Sequence, residues 1–159
     1  MGFSHVGVST HDMEATIAFY EGLLGYPRVV DEKTGIREGG VLRQVYFDLG
    51  EGQFIVFMEA KGVAGIPESY DTGINGALGT PGGMYHFAFR VDTLAQLEAI
   101  RCRLAEAGTD VSGVIDLEAA KSVFLSDPNG LQIELCWHFR EFDEADLRRT
   151  SQASLATGG

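Results

Sequence analysis

Hydrophobic positions in this chain switch from a period of two to a helical period and back, and do so twice in the same order. In FSHVGVS, Val6 and Val8 alternate with smaller or polar residues, which predicts a strand over Phe3–Ser9. Asp12 supplies an N-cap for a helix over Met13–Leu24, where Ile17, Tyr20 and Leu24 recur at helical spacing and Gly25 closes the element. Strand-like stretches follow at Arg28–Val30, Leu42–Leu49 and Phe54–Glu59, the last two joined by a tight Gly50-Glu51-Gly52 turn.

The order restarts at Met84. MYHFAFRV predicts a strand, Thr93 with Gln96 forms a capping-box pattern, and Leu94, Leu97, Ile100 and Leu104 mark a helix that Gly108 ends. Val111–Ile115, Ser122–Leu125 and Leu131–Trp137 read as strands, the last pair joined through the turn Asp127-Pro128-Asn129-Gly130. Each half is therefore strand, helix, strand, strand, strand. Two such copies imply a pseudo-twofold relation, because one unit buries its sheet poorly alone.

The domain plan is one module over residues 1–60, a second over 84–138, and a glycine-rich connection over 61–83 that contains Pro67 and Pro81. A connection of that length is expected to be functional or mobile, and to cover the site. Residues 139–159 read as a charged tail with one short helix.

Composition narrows the function classes. A chain of 159 residues with 45% hydrophobic and 22% charged side chains suits one globular domain. Its 23 acidic and 12 basic residues give a net charge of −11, which repels phosphate backbones and anionic lipid, so no nucleic-acid or membrane partner is expected. No apolar run approaches the roughly 20 residues of a membrane span, and a cytoplasmic location is expected. Cys102 and Cys136 are read as reduced packing residues.

Alternation then sorts the polar residues. Tyr85, Phe87, Phe89 and Val91 form one strand face, so His86 falls on the other, with Met84, Ala88 and Arg90. His5 lies opposite Val6 and Val8. In the last strand Gln132, Glu134 and Cys136 oppose Leu131, Ile133, Leu135 and Trp137. Taken singly, either histidine reads as a hydrogen-bonded strand residue, but His5 and His86 hold equivalent positions in the two repeats. Two imidazoles and a carboxylate cost several kcal/mol each to bury unpaired, a cost that a bound metal removes. Two His and one carboxylate with open positions suit Fe(II), and Zn²⁺ accepts the same set.

The sequence resembles the vicinal oxygen chelate superfamily of glyoxalases, bleomycin resistance proteins and extradiol dioxygenases. The resemblance rests on HVGVSTHDMEATIAFYEGLLGY, GGMYHFAF and VFLSDPNGLQIEL, and covers about Phe3 to His138. It implies an α+β fold in which two βαβββ modules form a half-open, eight-stranded barrel around one divalent metal held by His5, His86 and Glu134. It also implies Fe²⁺ as the metal, with Mn²⁺, Ni²⁺ or Zn²⁺ as substitutes, and a homodimer. A fourth ligand found in many members would fall on Val56, and Glu59 nearby has the wrong parity without a bulge. The missing fourth ligand argues against a glyoxalase I or methylmalonyl-CoA epimerase reaction.

Phe54, Val56, Met58 and Phe124 are candidates for an apolar wall that binds a small-molecule substrate. His138 shares the parity of Glu134 and is a candidate proton carrier at the rim. His11, Arg90 and Arg43 are read as surface residues. The expected activity is a dioxygenase acting on an aromatic or chelating substrate with adjacent oxygens. The alternatives are a metal-dependent isomerase, lyase or transferase, and a metal-free drug-sequestering protein.

Overall fold

In the computed structural model, which describes residues 2–150, the first half of the chain folds as β1 (His5–Ser9), α1 (Met13–Ile17), β2 (Arg28–Gly35), β3 (Val41–Gly50) and β4 (Gln53–Lys61). A short helix, α2 (Ile74–Leu78), stands in the connection. The second half repeats the order with β5 (Phe87–Arg90), α3 (Leu94–Glu106), β6 (Ile115–Leu117), β7 (Ala120–Ser126) and β8 (Gln132–His138). The expected α+β architecture is present as two mixed four-stranded sheets, ordered β1-β4-β3-β2 and β5-β8-β7-β6, with no closed barrel. The first strand of each unit runs parallel to the last and leaves one edge open.

Caps form where the sequence places them. Asp12 Oδ1 accepts the Ala15 N–H at 3.0 Å, and Thr93 Oγ1 accepts that of Gln96 at 3.1 Å. α1 then departs from the expected regular helix. Ala18–Leu23 is a wide π-type turn in which the Leu24 N–H reaches back five residues to Phe19 O at 2.9 Å. It turns Phe19 and Tyr20 inward and closes at Gly25 with φ of 83°.

Strand boundaries also differ: β2 runs on to Gly35 rather than ending at Val30, paired along β3 to Val41. β5 begins at Phe87 rather than Met84, because Asn75 of α2 takes both backbone groups of Tyr85. Its Nδ2 donates to Tyr85 O at 2.7 Å and its Oδ1 accepts the Tyr85 N–H at 3.0 Å. The 111–115 stretch makes only a bridge at Val111 before the short β6, since Ser112 Oγ takes the Phe124 N–H at 2.9 Å.

One core serves both units. The helix-covered faces contribute Val45, Phe47, Ile55 and Phe57 from the first sheet and Phe89, Val123, Ile133 and Leu135 from the second, all buried against α1 and α3. Tyr20 is fully buried at the seam, with its ring 5.4 Å from Phe47, 4.8 Å from Phe57 and 6.4 Å from Phe89. Its hydroxyl donates to Asp127 Oδ2 at 3.0 Å, in the turn between β7 and β8. Asp127 Oδ1 also accepts the backbone N–H of Asn129 and of Leu131, both at 2.8 Å. Asn129 Nδ2 donates to Asp127 Oδ2 and to Thr16 Oγ1 on α1. A buried polar latch thus joins the helix of one unit to the turn of the other. Burial pushes the Asp127 carboxyl above its ordinary range, against the pull of these donors.

Candidate functional site

Strand register tests the expected equivalence of the two units directly. In the first sheet Gly7 pairs with Val56 and Val56 with Tyr46; in the second Ala88 pairs with Glu134 and Glu134 with Phe124. Val56 therefore occupies the place in the first unit that Glu134 holds in the second. His5 and His86 each stand two residues before those paired positions. Glu59 lies on the helix-covered side, where its Oε1 accepts the Met13 N–H at 3.1 Å and so caps α1. That role removes it as a fourth metal ligand.

His86 and Glu134 are brought together. His86 Nε2 lies 3.3 Å from Glu134 Oε2, and His86 Nδ1 lies 3.0 Å from Gly83 O. A carbonyl only accepts, so Nδ1 carries the proton and Nε2 faces the carboxylate. An imidazole nitrogen and a carboxylate oxygen are both lone-pair donors of the kind that ligate a divalent ion. Glu134 is 8% exposed, and its other oxygen accepts a 2.6 Å hydrogen bond from Ser122 Oγ, itself fully buried. Cys136, on the same face, keeps a neutral thiol because burial pushes its pKa up.

His5 is not part of this pair. It stands exposed on the second face of the other sheet, with Ser4 Oγ 3.2 Å from Nδ1 and the Tyr46 ring 6.0 Å away. Among the described residues no group of three or more His, Cys, Asp or Glu is placed to hold a metal ion. Both second faces lie outside the shared core, which explains the separation. Met13 and Ile17 of α1 and Leu97, Ile100 and Leu104 of α3 belong to that shared core.

The candidate wall residues divide in the same way. Phe54, Val56 and Met58 line the second face of β4, with Tyr46 and Phe54 rings 6.0 Å apart. Phe124 stands on the other sheet beside Glu134. The connection lies against the β1–β4 face, where Thr72 and Ile74 join Gly7, Ser9 and Met58 around a groove of about 520 Å³. It is also anchored. Thr72 Oγ1 donates to Asn129 O at 2.8 Å, and Gly73 sits so close to Gly130 that an added Cβ would lie 2.7 Å from its carbonyl oxygen. His11 holds the connection too, with Nε2 donating to Tyr70 O at 2.8 Å.

His138 is exposed at the end of β8, its ring 5.4 Å from Phe142 and without a hydrogen-bond link to Glu134 among the described residues. Arg43 was expected at the surface, but its side chain is only 12% exposed and is committed to ion pairs, with two 2.8 Å hydrogen bonds to Asp31 and a contact to Glu14. Cys102 is exposed rather than packed, which corrects the reading of both cysteines as packing residues. The roles of Ser122 and Tyr46 were missed in the sequence, although each has the parity of the second face in a strand whose neighbours are apolar.

Ser122→Ala is expected to lower stability by about 1–3 kcal/mol, because it leaves the buried Glu134 Oε1 without its donor. Urea unfolding of the two proteins measures the difference. A change within error would show that water replaces the hydroxyl.

A family model described as Glyoxalase/Bleomycin resistance protein/Dioxygenase superfamily matches residues 2–135. No curated protein matches. Among solved structures, the chain is similar to TnmS3, an antibiotic binding protein from Streptomyces sp. CB03234, at 21% identity and a TM-score of 0.60, covering 87% of this chain and 96% of that one. It is similar to lactoylglutathione lyase from Agrobacterium tumefaciens at 20% identity and 0.57, over 86% and 92% of the two chains. A genomically encoded fosfomycin resistance protein from Listeria monocytogenes matches at 16% and 0.59, over 86% and 93%. Identities this low speak to the fold alone.

Proposed function

We propose that this chain, which belongs to the Glyoxalase/Bleomycin resistance protein/Dioxygenase superfamily, is a metal-dependent enzyme whose centre is completed between two copies. His86 and Glu134 come from one copy and His5 from the other. The observation that carries the reading is the His86–Glu134 pair, 3.3 Å apart and each fixed from behind by a second hydrogen bond. Its donor set, an imidazole Nε2 and a carboxylate oxygen, fits a divalent cation of the Fe²⁺, Mn²⁺, Ni²⁺ or Zn²⁺ type. His5 would supply the third donor from an exposed face that already carries Tyr46 and Phe54.

A divalent ion held there would supply Lewis-acid chemistry to a chelating substrate. The protein's own groups do the rest. Ser122 keeps Glu134 Oε1 occupied so that Oε2 faces the site, and Gly83 O fixes the His86 tautomer. Phe54, Val56 and Met58 offer an apolar wall, to which Phe124 adds from the other copy. With Val56 in the register place of a fourth ligand, the three-ligand set leaves open positions, which supports a dioxygenase with Fe²⁺ acting on a chelating aromatic substrate.

A metal-free binding function is the second reading. It is favoured by the separation of His5 from the other two residues within one chain. Metal analysis of protein purified without oxygen distinguishes the two. About one iron per chain, lost in Glu134→Ala, is expected, together with ring-cleavage colour on a panel of catechols. Absence of any metal after loading would sink the enzyme reading, and stoichiometric zinc or nickel without catechol turnover would replace the oxygenase by a lyase or isomerase.

A further inference from the structure

Beyond His86 and Glu134, the same sheet face runs on to a second group of residues. Arg90 ends β5, in register with Cys136, and His138 ends β8, four residues after Glu134. At strand spacing His138 lies about 13 Å along the face from Glu134 and Arg90 about half as far. The chain after β8 does not fray there. Arg140 forms a two-pronged ion pair with Asp146 at 2.7 and 2.8 Å, Asp146 accepts the Asp143 N–H at 2.9 Å, and Asp143 accepts the Ala145 N–H at 2.8 Å. This brace holds Phe139 and Phe142 at the surface, 44% and 64% exposed, on a cavity of about 480 Å³ that Arg90 and His138 also line.

Arg90 differs from the other cation of this cavity. The Arg140 guanidinium is committed to Asp146, whereas that of Arg90 has no hydrogen-bond or ion-pair partner among the described residues. It also lines a neighbouring cavity of about 390 Å³ with Tyr26, Gln53 and Gln96, where Glu51 and Asp92 are the acids and neither pairs with it among the described residues. Glu141, the one acid in the first cavity, contributes only its backbone carbonyl to Arg140. An uncommitted guanidinium beside two exposed rings suits a ligand that is apolar along its length and anionic at one end, held locally by Arg90 against the repulsion of a protein of net charge −11.

We infer that the cavity of Arg90, His138, Phe139 and Phe142 binds the carboxylate end of an aromatic acid, with Arg90 as the anion-binding and specificity-determining residue. The inference rests on the reading that this face receives the substrate, and it adds the substrate's charge. It does not depend on the metal.

The test is calorimetric titration of chelator-treated protein with phenylacetate, 3-phenylpropionate and 4-phenylbutyrate, each beside its primary amide. The acids are expected to bind about tenfold or more tightly than their amides. Arg90→Gln is expected to abolish that preference while Arg37→Gln, an exposed control, keeps it. Phe142→Ala is expected to weaken acid and amide equally. Equal binding of acid and amide, an acid affinity unchanged in Arg90→Gln, or no binding at millimolar concentration would overturn the inference. So would a Phe142→Ala chain that changes its sedimentation but not its ligand affinity, since the ring would then serve a contact between copies. Because the protein is metal-free throughout, this result stands or falls apart from the metal centre.

Discussion

Co-expressed His5→Ala and Glu134→Ala chains are expected to recover a metal centre that neither variant forms alone. Each variant by itself loses one of three ligands in every site, which removes tight binding. In a heterodimer the two defects can fall in one site, leaving the other with His5 from the Glu134→Ala chain and His86 and Glu134 from the His5→Ala chain. Random pairing of two chains makes about half of the dimers mixed, so about a quarter of the sites become intact. Metal stoichiometry of the affinity-separated heterodimer reads this as one ion per dimer. An empty heterodimer would show that the three residues do not meet across copies. The expectation follows from the placement of His5 on an exposed face of one sheet and of the His86–Glu134 pair on the other.

The largest expected effect on stability comes from the seam. Asp127→Ala is expected to destabilise the fold by about 3–5 kcal/mol, or on the order of 10 °C in melting temperature. Asp127 accepts from Tyr20 Oη, from Asn129 Nδ2 and from two backbone N–H groups, and the residue is 5% exposed. Removing it strands Tyr20 Oη and two backbone N–H groups and takes one of the two bonds of Asn129 Nδ2, which keeps Thr16 Oγ1, and water reaches them poorly. Tyr20→Phe removes one of these bonds and is expected to cost about 1 kcal/mol. In the double variant the cost of losing Tyr20 Oη should largely vanish, because its partner is already gone. Additive losses would mean that Tyr20 acts by packing alone, through its contacts with Phe47 and Phe57.

The sequence carried some of this site clearly. Alternation put His86 opposite Phe87 and Phe89, and the repeat put Val56 opposite Glu134, as the register bears out. Turn and cap signals marked both helices at their starts and the β7–β8 turn. α2 was not legible, since INGAL is short and contains a helix-weakening glycine. Nor was the shortening of β5, because the competitor for Tyr85's backbone is a side chain ten residues earlier in the chain. Asp127 read only as a turn residue, and its bond to Tyr20 spans 107 positions.

By itself the sequence determined the element order within each unit, the two-unit repeat and the face on which His5, His86 and Glu134 stand. These follow from periods of two and of about 3.6 residues, which local backbone geometry imposes without reference to distant contacts. Only the tertiary structure decided which faces meet. Apolar burial gathers the helix-covered sides of both sheets around α1, α3 and Tyr20, so His86 and Glu134 come within 3.3 Å while His5 turns outward on the other sheet.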